Sequence, residues 1–121
     1  MTVQTLIDRD IFTRICIPSN TDRSISVPFC CDLLSIAMSR APQDCAWVTV
    51  MANLNTLAVA ALTDCACIIL AEGTAFDDVC RQRAIQEEIP VFSTTMPVFD
   101  AALKVWQLLG ESGSPSGESD G

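Results

Sequence analysis

Residues 65–71, Cys-Ala-Cys-Ile-Ile-Leu-Ala, carry no polar side chain and lie between Asp64 and Glu72. A short apolar run bounded in this way reads as a strand, and a strand apolar on both faces belongs in the middle of a sheet that is covered on both sides. The flanking sequence supplies the cover. From residue 25 onward, β-rich runs alternate with runs of helical period, which implies right-handed crossovers and a largely parallel sheet. The expected class is α/β, in three α/β/α layers with helices on both faces.

Punctuation along the chain sets the expected elements. Strands are predicted over 12–17, 25–30, 46–51, 65–71 and 91–93, with Pro28 marking an edge or a bulge. Helices are predicted over 3–8, 32–41, 54–63, 75–88 and 97–109. Asp32 and Asn53 read as caps, Pro42 and Pro90 as stops, and Gly110 as the end of the last helix. Residues 1–109 form one expected domain. Residues 110–121 hold four of the five glycines and three acidic residues, the composition of a disordered acidic tail.

Charge and residue usage narrow the function. The 121 residues include seven Lys and Arg against fifteen Asp and Glu, a formal charge of −8. Without the tail the body keeps twelve acidic residues, a charge of −5, which argues against nucleic acid, whose binding needs neutralised phosphates. The chain has no His and no Tyr, and Lys104 is its only Lys. Histidine acid–base catalysis, Ser-His and Cys-His nucleophiles, Walker-type phosphate loops and Cys/His zinc sites all fall away. The expectation is a protein that is not an enzyme and needs no cofactor. No apolar run approaches the ~18 residues of a membrane span, and Met1-Thr2-Val3-Gln4 lacks the pattern of a signal peptide. A cytoplasmic location without membrane contact is expected.

Seven cysteines, at 16, 30, 31, 45, 65, 67 and 80, sit mostly in apolar runs. An odd count and the absence of CxxC spacing favour buried, packing cysteines. The rival reading is a metal, iron–sulfur or redox site through Cys30, Cys31, Cys65 and Cys67.

The helix over 54–63 is unusually apolar. Leu54, Leu57, Ala58, Ala61 and Leu62 make a core stripe, yet Val59 and Ala60 occupy the opposite side, where charge is expected. A second copy of the chain is the expected cover, with Leu57, Val59, Ala60 and Thr63 as candidate dimer-interface residues.

Helix N-termini gather at the carboxyl ends of parallel strands and offer backbone N–H groups to ligands. Asp32, Asn53, Asn55 and Asp64 are placed on that polar crest, and Asp22 and Arg23 join the candidate ligand-binding set. Glycine-rich phosphate loops are missing, and Gly73 is the one glycine before the tail.

Asp22-Arg23, seven residues and then Cys31-Asp32-Leu33-Leu34-Ser35 resemble the DRTGG domain, whose pattern is Asp-Arg followed by Gly-Asp-Leu-Leu-Ser. Residues 46–51, Asn55, 59–64, 68–70, Gly73 and 89–94 extend the likeness over roughly residues 2–107. Cys31 stands where the family has Gly, and Ser24-Ile25-Ser26 where it has Thr-Gly-Gly. Asp22, Arg23, Asp32 and Ser35 match the named motif, which adds Ser35 to the candidate ligand-binding set. The resemblance implies a domain similar to the N-terminal domain of HPr kinase/phosphorylase. In that family the domain is a dimeric, non-catalytic module found beside CBS domains in regulated pyrophosphatases and in some phosphotransacetylases. Small stand-alone members resemble accessory proteins of hydrogenase or electron-transfer subunits. The combined expectation is a homodimeric regulatory or assembly module that binds a small ligand, such as a nucleotide, or a partner protein.

Overall fold

The computed structural model describes residues 1–112. Its elements are α1 (Val3–Arg9), β1 (Thr13–Cys16), β2 (Pro28–Cys30), α2 (Leu34–Arg40), β3 (Ala46–Thr49), α3 (Leu54–Thr63), β4 (Cys67–Leu70), α4 (Asp78–Glu87), β5 (Val91–Ser93) and α5 (Val98–Ser112). The five strands form one sheet in the order β1-β5-β4-β3-β2. β2, β3, β4 and β5 run parallel, and β1 closes one edge antiparallel to β5. The run over 65–71 supplies the central strand, every residue of it buried. The fold is α/β in three layers, as its apolar centre requires.

Strand order fixes which helix covers which face. From β2 to β5 the chain steps one strand at a time in a single direction, so crossovers of one hand put every connecting helix on the same side. Accordingly Ala37 of α2, Leu57, Val59 and Ala60 of α3, and Cys80 and Ala84 of α4 pack with Trp47, Ile68, Leu70 and Val91. The other side falls to the helices outside this series. Val3 and Leu6 of α1 and Ala101, Val105 and Leu108 of α5 pack there with Val48, Cys67, Ile69 and Phe92. No helix among the described residues is long and apolar enough to cross a membrane.

Several boundaries differ from expectation for local reasons. The strand predicted over 25–30 begins only at Pro28, because residues 21–25 pair with the N-terminus: Val3 N–H donates to the Arg23 carbonyl and Ile25 N–H to the Met1 carbonyl, each at 2.9 Å. α4 starts at Asp78, not near 75, where Asp77 caps it by accepting from Cys80 N–H at 2.8 Å. The last helix runs through Gly110 to Ser112. A helical Gly costs only about 1 kcal/mol relative to Ala, and Glu111 accepts an ion pair from Arg9 at 2.9 Å that holds this turn against α1. The disordered-tail expectation otherwise falls on 113–121, outside the described residues.

The orientation of α3 corrects the sequence reading. Thr56, Leu57, Val59 and Ala60 face inward and are buried within the protomer, whereas Leu54, Ala58, Ala61 and Leu62 face out. Leu57, Val59 and Ala60 are therefore core residues, already covered by their own chain, and not a surface for a twin. Thr63 is half-buried, its hydroxyl donating to the Val59 carbonyl at 2.8 Å. The absence of charge is the cause: where no charged position marks the outer face, period alone does not select the inward side.

Candidate functional site

A parallel sheet has two chemically different ends, and the predicted site residues divide between them. At the carboxyl ends of β2 and β3 lie Asp32, Ser35, Asn53 and Asn55, all exposed. Asp32 does not cap α2, whose cap position is Leu33. Instead its Oδ1 accepts from the Thr49 hydroxyl at 2.7 Å and Val50 N–H at 3.0 Å, tying the β2–α2 loop to the end of β3. Asn53 Oδ1 caps α3 by accepting from Thr56 N–H at 3.0 Å and from the Thr56 hydroxyl at 3.3 Å. Ser35 and Asn55 sit in the first turns of α2 and α3. The acceptors on which a crest ligand would depend are largely engaged by the fold.

Asp64 is not on that crest. It ends α3 in the left-handed conformation, φ 62°, and precedes β4, which puts it at the amino ends of the strands. Arg23 joins it there. Its Nε and Nη2 donate to Asp44 Oδ1 at 3.0 and 2.8 Å, and Nη2 also reaches Asp64 Oδ1 at 2.9 Å and the Asp64 carbonyl at 2.5 Å. Gln43 Nε2 completes the group by donating to Asp64 Oδ2 at 3.1 Å. Asp22, next to Arg23, is exposed, and its N–H donates to Asn20 Oδ1 at 3.0 Å. The Asp-Arg pair of the resemblance therefore acts at the opposite end from Asp32 and Ser35. With both carboxylates and a carbonyl satisfied by one guanidinium, Arg23 is a clasp between the starts of β3 and β4.

Sequence reasoning missed the other half of this cluster. Asp-Cys-Ala occurs twice, at 44–46 and 64–66, and opens the two adjacent central strands. Asp44, φ 65°, repeats the left-handed conformation of Asp64, which Asp tolerates better than most residues. Asp44 N–H donates to the Asp64 carbonyl at 2.8 Å and Ala66 N–H to the Cys45 carbonyl at 2.8 Å, so the two copies lie side by side. Their cysteines meet: the Cys45 thiol donates to Cys65 Sγ at 3.4 Å, and the Thr63 hydroxyl oxygen is 3.3 Å from the same sulfur. Cys65 borders a cleft of about 330 Å³, which also involves Asn20, Arg23, Asp64, Glu87 and Glu88.

The electrostatics of the two thiols diverge. Cys65 is held below the ordinary thiol range chiefly because the Cys45 thiol donates to it, with help from Thr63 and the Arg23 charge, against the opposing effect of burial. Cys45 is pushed up by the same contact and by burial. Cys67, fully buried on the α1/α5 side, is raised by desolvation. The four cysteines of the rival reading do not converge. Cys65 and Cys67 pack on opposite faces of the sheet, and Cys30 lies four residue steps along the strands from Cys65, about 13 Å. Among the described residues no group of three or more Cys, Asp or Glu side chains has the arrangement to hold a metal ion.

The clasp has a pH signature. Arg23, and then Gln43, hold the Asp64 carboxyl below its usual value. A depressed folded pKa means that its stabilisation is complete above the unfolded value, about 4, and is lost as pH falls toward the lower folded value. Asp64→Asn is expected to lower the melting temperature at neutral pH, and the gap from wild type is expected to close as pH drops below about 4. Parallel thermal melts across the acid range check this, and a constant gap would contradict it.

No protein-family model matches the chain, and no curated protein matches it.

Proposed function

We propose that this protein is a non-catalytic assembly module that works as a homodimer, docking through the outward surface of α3. The carrying observation is that surface itself: Leu54, Ala58, Ala61 and Leu62 face solvent, with Leu62 72% exposed, and no charged residue occurs between 53 and 63. α2 and α4 flank α3, and they add Ile36, Met38, Val79 and Ile85 to the exposed apolar side chains of this layer. Exposed apolar side chains gathered on one layer in this way mark an interaction site.

A second copy is the occupant that the chemistry favours. The body of the chain carries net negative charge, so two copies repel except where charge is absent, and α3 is such a place. Ala58 and Ala61 leave room for two helix backbones to approach closely, and an isologous contact places each α3 against its twin. The DRTGG resemblance, to a family of dimeric and non-catalytic modules, supports the same reading. So does the lack of His and Tyr. A nucleotide at the crest has weaker support, because Asp32 and Asn53 already serve the fold there.

Light scattering at micromolar concentration tests the proposal. The expected mass is twice the 13.0 kDa of one chain, and Leu62→Asp is expected to halve it without changing the circular dichroism. Trp106→Asp, on the opposite layer, is expected to leave the dimer intact. A wild-type monomer, or a dimer lost through Trp106 and not through Leu62, would overturn the reading.

A further inference from the structure

We propose that Cys45 and Cys65 form a reversible dithiol–disulfide site, with Cys65 as the sulfur that attacks a small neutral hydroperoxide entering the cleft beside Arg23. The inference is independent of the dimer reading. It rests first on placement. Two sulfurs 3.4 Å apart, on backbones joined by the 2.8 Å Ala66–Cys45 hydrogen bond, need only small side-chain rotations to reach the ~2.05 Å of a disulfide. The β3–β4 register puts Cys45 opposite Ala66, one residue from Cys65. A strand spacing of about 4.8 Å with one residue step of about 3.3 Å along the chain is roughly 6 Å, within the Cα separations that disulfides span. Both cysteines are free.

The two thiols are also unequal in the way such a pair requires. Cys65 borders the cleft and retains 5% exposure, whereas Cys45 lies behind it with none. Cys65 Sγ accepts a hydrogen bond from Cys45 and has the Thr63 hydroxyl beside it, contacts that favour its thiolate. Arg23 is fixed one residue away through the Asp64 carbonyl. The rim carries Asp64, Glu87 and Glu88, which disfavour anionic oxidants such as glutathione disulfide and leave an uncharged hydroperoxide as the suitable one.

In the first step the Cys65 thiolate attacks one peroxide oxygen. The O–O bond breaks, the alkoxide or hydroxide leaves and takes up a proton, and Cys65 becomes a sulfenic acid. In the second, Cys45 gives up its proton and its sulfur attacks Cys65 Sγ, displacing hydroxide, which that proton converts to water. Two thiols and one hydroperoxide thus yield a disulfide, an alcohol or water, and one further water. The product closes a loop that contains β3 and α3, so it constrains the unfolded chain and stabilises the oxidised fold.

One equivalent of hydrogen peroxide on the reduced, full-length protein tests this. Titratable thiols are expected to fall from seven to five, with a peptide cross-link between 45 and 65, a higher melting temperature and reversal by dithiothreitol. With Cys45→Ser, a sulfenic acid that dimedone traps is expected to accumulate at Cys65. With Cys65→Ser, or Cys65→Ala where the first folds poorly by circular dichroism, all six remaining thiols are expected to survive. Retention of seven thiols by the wild type, a cross-link at Cys30–Cys31 or between chains, or undiminished oxidation of the Cys65 variants would overturn the proposal.

Discussion

Trp47→Ala is expected to destabilise the protein by about 3–5 kcal/mol, a large share of the total stability of a domain this size. Trp47 lies in β3 between Phe29 of β2 and Ile68 of β4, and is fully buried beneath α2–α4. Truncation removes the largest side chain of that layer. It also abandons the hydrogen bond from Nε1 to the Cys31 carbonyl at 3.0 Å, which anchors the end of β2 to its neighbour. Both losses act on the same strands, so relaxation into the cavity is limited. Chemical denaturation checks the value: the midpoint is expected to fall with little change in slope. Trp47→Phe keeps most of the packing and loses the hydrogen bond, and is expected to cost roughly 1–2 kcal/mol. The other tryptophan, Trp106, is 60% exposed on α5, so Trp106→Phe gives a background in which fluorescence reports Trp47 alone. A cost below about 1 kcal/mol for Trp47→Ala would show that this side of the sheet is not close-packed.

The layered fold was legible because strands and helices carry different periods and because 65–71 is apolar on both faces. Asn53 was readable as a cap, since Asn followed by an apolar helix has one simple local use. Asp32 was not. Its partners, Thr49 and Val50, are 17 and 18 residues away, and no local rule supplies them. The placement of Asp64 failed for a topological reason. A carboxylate between a helix and a strand belongs to the amino end of the sheet, whereas one between a strand and a helix belongs to the carboxyl end. Asp64 follows α3 and precedes β4, so that order alone separates it from Asp32. The repeated Asp-Cys-Ala was visible in the sequence, but it becomes a site only once β3 and β4 are known to be neighbours, with the two copies offset by one residue. Arg23, far from both copies in sequence, then has two equivalent carboxylates to clasp.

Leu57→Ala is expected to cost about 2–5 kcal/mol, while Leu62→Ala in a monomeric background falls within about 0.5 kcal/mol of wild type. The two leucines are five residues apart on one helix and chemically identical, and the sequence pattern put both on the core stripe. The structure separates them: Leu57 is 1% exposed and Leu62 is 72% exposed. Two local devices set the rotation. Asn53 fixes the first turn through Thr56, a buried polar residue whose hydroxyl and N–H are both satisfied by the cap. Asp64 fixes the last turn by its left-handed conformation and its bonds to Arg23. Between them no charged side chain opposes the alternative rotation, so the ends decide. Denaturation curves over a range of protein concentrations distinguish the two roles. A core defect at Leu57 is expected at every concentration, whereas any effect of Leu62 in the native dimer scales with concentration, because association stabilises the folded state by mass action. Equal costs for the two substitutions in the monomer would mean that α3 is turned about its axis, exposing Val59 and Ala60 and covering Leu62. The dimer surface would then move to the opposite side of the helix.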